Sequence, residues 1–185
     1  EARTKATEAG VDLALSRQDM RTFSLPERVD LATCLYDSMN YMLTSEDLLA
    51  TFRRVYDALE PGGLFLFDMN TAYALAELWD DEVHLSDEED MTVIFASHYD
   101  ERRQRVTVEA TVFERRGELY RKIQETHLEQ AYPNEHVATL LSDAGFRVEA
   151  SYACFSERPP DEYTTRVFWV ARKPGAPVHA EEPGR

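Results

Sequence analysis

Two short stretches of this 185-residue chain carry closely spaced groups able to donate, accept or move protons. One is Tyr36-Asp37-Ser38-Met39-Asn40-Tyr41; the other is Asp68-Met69-Asn70-Thr71. A third polar cluster, Gln18-Asp19-Met20-Arg21, precedes them. Each follows an apolar run, so each is placed where a strand ends and a loop begins. Asp68 is the best base or orienting candidate of the set, since a carboxylate there can take a proton or hold a positive group. Its other reading, a structural acid tying the strand end to the next helix, stands beside the first. Tyr41 is paired with Asp68 as a catalytic candidate, and Asn40 and Asn70 are candidates for holding a substrate on the same rim.

The elements behind these clusters are legible in the order of residue types. Val29 to Leu35 is apolar apart from Asp30 and Thr33, and Leu64 to Phe67 is wholly apolar. Runs of that length fit strands buried on both faces, as in a parallel sheet covered by helices. Between them, Thr44-Ser45-Glu46-Asp47 supplies an N-cap with acids in the first helical turn, where the helix dipole favours them. Leu48, Phe52, Val55 and Leu59 then recur at helical spacing, and Pro61-Gly62-Gly63 ends the helix. The product is a right-handed βαβ unit. In such sheets ligands bind beyond the carboxyl ends of the strands, which is where the polar clusters fall.

Composition narrows the partners. Lys plus Arg is 20 and Asp plus Glu is 35, a formal charge of −15. That charge repels phosphate backbones and anionic membranes, so neither nucleic acid nor a membrane is expected as a partner. Cys34 and Cys154 sit in expected buried strands without CxxC or metal-ligand spacing, which implies reduced thiols, a cytoplasmic location and no metal. His98, His127 and His136 pair with no second ligand at metal spacing. All three read first as structural or surface histidines; His127 faces a substrate only in a favourable strand register. Trp79 and Trp169 read as core rather than aromatic cage. A homo-oligomer stays open.

Taken in order, strand, Asp19-Met20, a loop with Phe23 and Pro26, VDLATCLYDSMNY, helix and LEPGGLFLFDMNT, the chain resembles the middle and C-terminal parts of class I S-adenosylmethionine-dependent methyltransferases of the small-molecule type. The resemblance runs from about Glu1 to Lys173. It implies a Rossmann-like doubly wound α/β sheet and S-adenosylmethionine as cofactor. It also implies that Asp19 accepts from the adenine amino group while the Met20 backbone N–H meets a ring nitrogen. Backbone groups of Leu35, Tyr36 and Asp37 would hold the methionine end. The acceptor would be a small molecule methylated at nitrogen, oxygen or carbon. Methyl transfer is an in-line displacement from a reactive sulfonium, so orientation and charge placement supply most of the rate.

The family's glycine-rich loop and ribose-binding acid have no counterpart here. The sheet is therefore expected to be N-terminally truncated, the chain a fragment or trimmed product that binds cofactor poorly by itself. A non-catalytic binding or assembly module that keeps the fold is the alternative; a dehydrogenase ranks lower because its fingerprint is missing.

The remaining chain sets further expectations. Glu1 to Ala9 is a helix closed by Gly10, and Val11, Leu13 and Leu15 alternate as a strand. Thr71 to Trp79 is a short helix. Asp80 to Asp90 is a solvated acidic loop. Residues 91–130 are an inserted three-strand antiparallel meander, a wall or lid over the substrate, its inward face undetermined. Pro133 to Ala144 is a helix with Gly145 after it, Phe146 onward a strand, and Val167 to Ala171 the closing antiparallel strand. Residues 1–173 form the domain and 174–185 a disordered tail.

Overall fold

The computed structural model describes residues 1–175. A short helix α1 (Ala2–Glu8) precedes strand β1 (Val29–Cys34), helix α2 (Ser45–Ala58) and strand β2 (Leu59–Asn70). Strands β3 (Val83–Glu88), β4 (Met91–Asp100), β5 (Arg105–Arg116) and β6 (Leu119–Gln130) follow, then helix α3 (Asn134–Asp143), β7 (Arg147–Ala153) and β8 (Arg166–Arg172). Two sheets result, in the orders β1-β2-β8-β7 and β3-β4-β5-β6.

The βαβ unit forms as its residues dictate. Thr44 caps α2, its hydroxyl accepting from the Asp47 N–H at 3.1 Å, and Glu46 and Asp47 occupy the first turn. Leu48 and Phe52 are fully buried on the face turned to the sheet, beside Val55. β1 pairs with β2 in parallel, Leu31 opposite Leu64 and Cys34 opposite Phe67. A bulge at Val29/Leu31 brings β1 against Gly63, where an added Cβ would lie 2.9 Å from the Glu60 carbonyl oxygen and 3.0 Å from that of Asp30. β8 runs antiparallel to β2, and β7 antiparallel to β8. Phe65 and Phe67 stack at 4.6 Å between ring centres; Phe67 also stacks on Trp169 of β8, and Phe146 packs near Phe65. α3 covers the same core with Val137, Leu140 and Leu141.

Lys173 closes the far end. Its ammonium donates to the carbonyls of Tyr56 (2.8 Å) and Leu59 (2.7 Å), satisfying acceptors left free at the end of α2.

Four expectations need correction. Val11, Leu13 and Leu15 form no strand; all three are exposed and join no ladder, because alternation stabilises a strand only when a neighbour takes its hydrogen bonds. β1 is not buried on both faces: it is the outermost strand of its sheet among the described residues, and Leu31 is 50% exposed. The acidic loop contains β3, which pairs along β4 from Val83↔Ala96 to Glu88↔Met91, so the meander has four strands. Every β3 side chain is exposed, so burial imposes no apolar alternation on it and backbone pairing holds it in place. α2 ends at Ala58, so Leu59 opens β2 instead of extending the helical stripe, and Pro61-Gly62-Gly63 lies inside β2. The helix after Thr71 forms and widens over Ala74–Leu78 into a π-type turn, with Leu75 buried and Ala72 and Trp79 packed beside it. Of the expected tail 174–185, residues 176–185 lie outside the described residues.

The second sheet has a dry face. Val106, Val108 and Ala110 of β5 are buried. Val106 lies opposite Tyr99 and Glu129, and Val108 opposite Ser97 and His127. The inward face, undetermined in the sequence, is the one carrying these residues. No described helix is long and apolar enough to cross a membrane.

Candidate active site

The site is built on the turn that leaves β1. Tyr36 and Asp37 both adopt left-handed backbone angles, φ 59° and 52°, which non-glycine residues hold only when something else fixes them. Asp68, at the carboxyl end of the neighbouring β2, does so. Its Oδ2 accepts from the Tyr36 N–H (3.1 Å) and its Oδ1 from the Asp37 N–H (2.6 Å). Arg166 of β8 joins the pair, Nη1 lying 3.3 Å from Asp68 and Nη2 3.4 Å from Asp37. Both oxygens of Asp68 are thus engaged in holding a loop.

Beyond the turn, Asn40 is fully buried and works as a clamp. Its Nδ2 donates to the carbonyls of Asn70 (3.1 Å) and Gln130 (3.0 Å), and its Oδ1 accepts from the Asn70 N–H (3.0 Å). This joins the tip of β2 to the end of β6, and so fixes one sheet against the other. The Asn70 side chain then bridges two carboxylates, donating to Asp37 Oδ2 and Glu129 Oε2, each at 2.9 Å.

Between the sheets lies a cleft of about 470 Å³. Asp37 and Tyr41 line it from the β1 side. His127 and Glu129 of β6 line it from the second sheet, with Val108 and Ser97 beside them. Trp79, His84 and Phe95 complete the wall. The Tyr41 hydroxyl is 2.9 Å from His127 Nδ1, and His127 Nε2 is 3.4 Å from Glu125. Burial, together with the negative charges of Glu129, Asp37 and Glu125, pushes the Tyr41 phenol up from its ordinary value. Glu129 is 3% exposed, and burial pushes its carboxyl up to about 7, with the charge of Asp37 acting in the same direction. A side-chain hydrogen bond with Asp37 raises it as well, while the Asn70 amide lowers it.

The sequence candidates therefore divide. Asp37, Tyr41 and His127 line one cleft, Asn40 and Asn70 frame its base, and Asp68 stands behind the turn. Asp19, Met20, Leu35 and Tyr36 do not line it. Arg21 takes both oxygens of Asp19 and holds that carboxyl down to about 2. Met20 packs its sulfur 4.0 Å from Cys34, at the last residue of β1. Leu35 and Tyr36 are exposed at the strand tip, and the Leu35 carbonyl accepts from the Ser38 hydroxyl. Sequence reasoning missed Glu129, Arg166, His84 and Phe95; Trp79, expected in the core, packs against the Leu75–Val106 cluster and lines the cleft as well. One signal was present: Ile123, Glu125, His127 and Glu129 alternate along β6, and a register opposite Val108 and Val106 puts two of these polar groups on the dry face.

No protein-family model matches the chain. A Bacillus subtilis (strain 168) protein named "Putative methyltransferase YqeM" is 30% identical over 158 residues, covering 85% of this chain and 64% of that protein. A Geobacillus sp. (strain WCH70) protein, "Putative methyltransferase GWCH70_2453", is 30% identical over 173 residues, covering 93% of this chain and 70% of that one. The chain thus spans about two thirds of these relatives. The crystal structure of an S-adenosylmethionine-dependent methyltransferase from Clostridium acetobutylicum ATCC 824 superposes with a TM-score of 0.87 at 27% identity, covering 94% of this chain and 70% of that one. With strand tips, parallel β1–β2 pair and antiparallel β8 arranged as described, the chain belongs to the S-adenosylmethionine-dependent methyltransferases.

Proposed function

We propose that this protein transfers a methyl group from S-adenosylmethionine to a small-molecule acceptor held in the cleft between the two sheets. The observation that carries the reading is the shared position of Asp37: it belongs to the tip of β1 and also lines the 470 Å³ cleft. A donor held along the β1 tip and an acceptor in the cleft would then meet at one point. The residues present fit such a donor. Its sulfonium and ammonium are both cationic, and the turn offers Asp37 and Glu129 within one hydrogen-bonded network. Leu35 and Tyr36, exposed at the strand tip, would take the methionine end, and Asp19, on exchanging Arg21 for the adenine amino group, would with the Met20 N–H take the adenine edge.

The bound cofactor supplies an activated methyl group; the chain supplies geometry. Asp68 and Arg166 hold the Tyr36–Asp37 turn in its left-handed form. Asn40 fixes the distance between the strand tips and the second sheet. Tyr41 and His127 orient the acceptor, and Glu129 is better placed than Asp68 to receive a proton, since it lines the cleft and Asp68 does not. The sheet β3–β6 serves as the acceptor wall. Orientation of this kind accounts for much of the rate in a displacement whose leaving group is already good.

The test is titration calorimetry of the full-length protein with S-adenosylmethionine. Binding is expected, weakened by Asp19→Ala. An absence of heat with the full-length protein overturns the proposal.

A further inference from the structure

The cleft has a chemical bias. Two carboxylates line it, Asp37 and Glu129, and no Lys or Arg does. Arg166 stands behind the turn, committed to Asp37 and Asp68. Three aromatic side chains, Trp79, Phe95 and Tyr41, form the walls. Glu129 is nearly fully buried; its Oε2 accepts from Asn70, which also donates to Asp37, and the Glu129 and Asp37 carboxyl groups lie within hydrogen-bonding reach of each other at the cleft wall. Two carboxyl groups set side by side repel when both are ionised, a cost that a bound cation would remove. Aromatic faces around the same space add attraction for a positive charge. A carboxylate ligand would meet Asp37 and Glu129 with no lysine or arginine in the lining, only the imidazoles of His84 and His127.

Resting on the methyl-transfer reading above, we infer that the acceptor is an amine, bound as its ammonium with the nitrogen at the Glu129–Asp37 carboxyl pair and an apolar body against Trp79 and Phe95. The chemistry balances as follows. The ammonium gives a proton to the Glu129 carboxylate, leaving a neutral amine and a carboxylic acid. The amine lone pair then forms a bond to the methyl carbon while the carbon–sulfur bond of the donor breaks. The electron pair of that bond goes to sulfur, yielding a neutral thioether and a methylated ammonium. The raised proton affinity of Glu129, caused by its burial, suits it to this acceptance.

The test needs no cofactor. Benzylamine, benzyl alcohol and benzoate have the same ring and differ in charge. Each is titrated into the full-length protein at neutral pH, followed by quenching of Trp79 fluorescence against a Trp79→Phe control and by calorimetry. Benzylamine should bind at least about tenfold more tightly than benzyl alcohol, and benzoate not at all. Glu129→Gln should remove the preference while leaving the circular dichroism unchanged; Asp37→Asn should reduce it. Equal binding of the alcohol, better binding of benzoate, or an undiminished preference in folded Glu129→Gln each overturns the inference. Cofactor binding is a separate measurement, so a failure of the methyl-transfer reading is told apart from a failure of the amine site.

Discussion

Replacing Asp68 by Asn separates two roles that a carboxylate at a strand end can play. Asp68 is 7% exposed, so water cannot take over its contacts. Its two oxygens accept from the N–H groups of Tyr36 and Asp37 and face Arg166. An Asn side chain keeps one acceptor and turns an NH₂ toward a backbone donor, so at least one charge-assisted bond is lost. Such bonds contribute about 1.5–3 kcal/mol each. The two left-handed residues they hold each carry about 1–2 kcal/mol of unfavourable backbone energy, which then lacks its counterweight. Arg166 keeps Asp37 at 3.4 Å and is not orphaned, which limits the damage. The expected loss is about 3 kcal/mol. For a chain of this size that corresponds to a fall of about 6–12 °C in Tm. Urea unfolding should show a lower midpoint with an unchanged slope, and cofactor affinity should fall because the turn loosens. An Asp68→Asn protein that keeps its urea midpoint but loses turnover refutes this reasoning and makes Asp68 the base.

Other outcomes follow from the same contacts. Glu129 is harder to ionise in the folded chain than in the unfolded one, so its contribution to stability is complete below about pH 4.5 and is lost as pH rises through about 7. Glu129→Gln should therefore gain stability relative to the parent between these values; a parent-minus-variant difference that is flat with pH contradicts the assignment. Gly63→Ala places a Cβ 2.9 Å from one backbone carbonyl oxygen and 3.0 Å from another, and should cost about 1–3 kcal/mol in thermal or chemical melts. Lys173→Met removes the donor to two carbonyls at the end of α2; a loss of about 2 kcal/mol is expected, and an unchanged midpoint would mean that water already serves those carbonyls.

Local signals were strongest where one residue type has one physical use. The Thr44 cap and the Leu48/Phe52/Val55 stripe each act within a few residues, and both appear in the structure in their expected roles, whereas Pro61-Gly62-Gly63, expected to end the helix, lies inside β2. Val11, Leu13 and Leu15 show the opposite case. Their alternation satisfies strand periodicity, but a strand exists only where another backbone lies beside it, and none does among the described residues. β3 errs in the other direction, since an acidic segment with no buried side chain pairs through its backbone alone.

By itself the sequence determined the βαβ unit and the polar tips of its strands, because short-range periodicity and capping encode these directly; the antiparallel closing strand and the kinship with methyltransferases came from the resemblance of its ordered motifs to that family. Only the tertiary structure decided which polar groups share a cleft. Asn40, Asn70 and Glu129 are up to 89 residues apart in number, and the cleft arises from where the Asn40 clamp sets one sheet against the other. It likewise decided that Asp68 spends both oxygens on a neighbouring loop, while Glu129, unremarkable in the chain, is buried beside Asp37 at the cleft wall. The physical reason is common to both: hydrogen-bond satisfaction depends on which strands lie side by side, and that register is set by long-range pairing rather than by neighbouring residues.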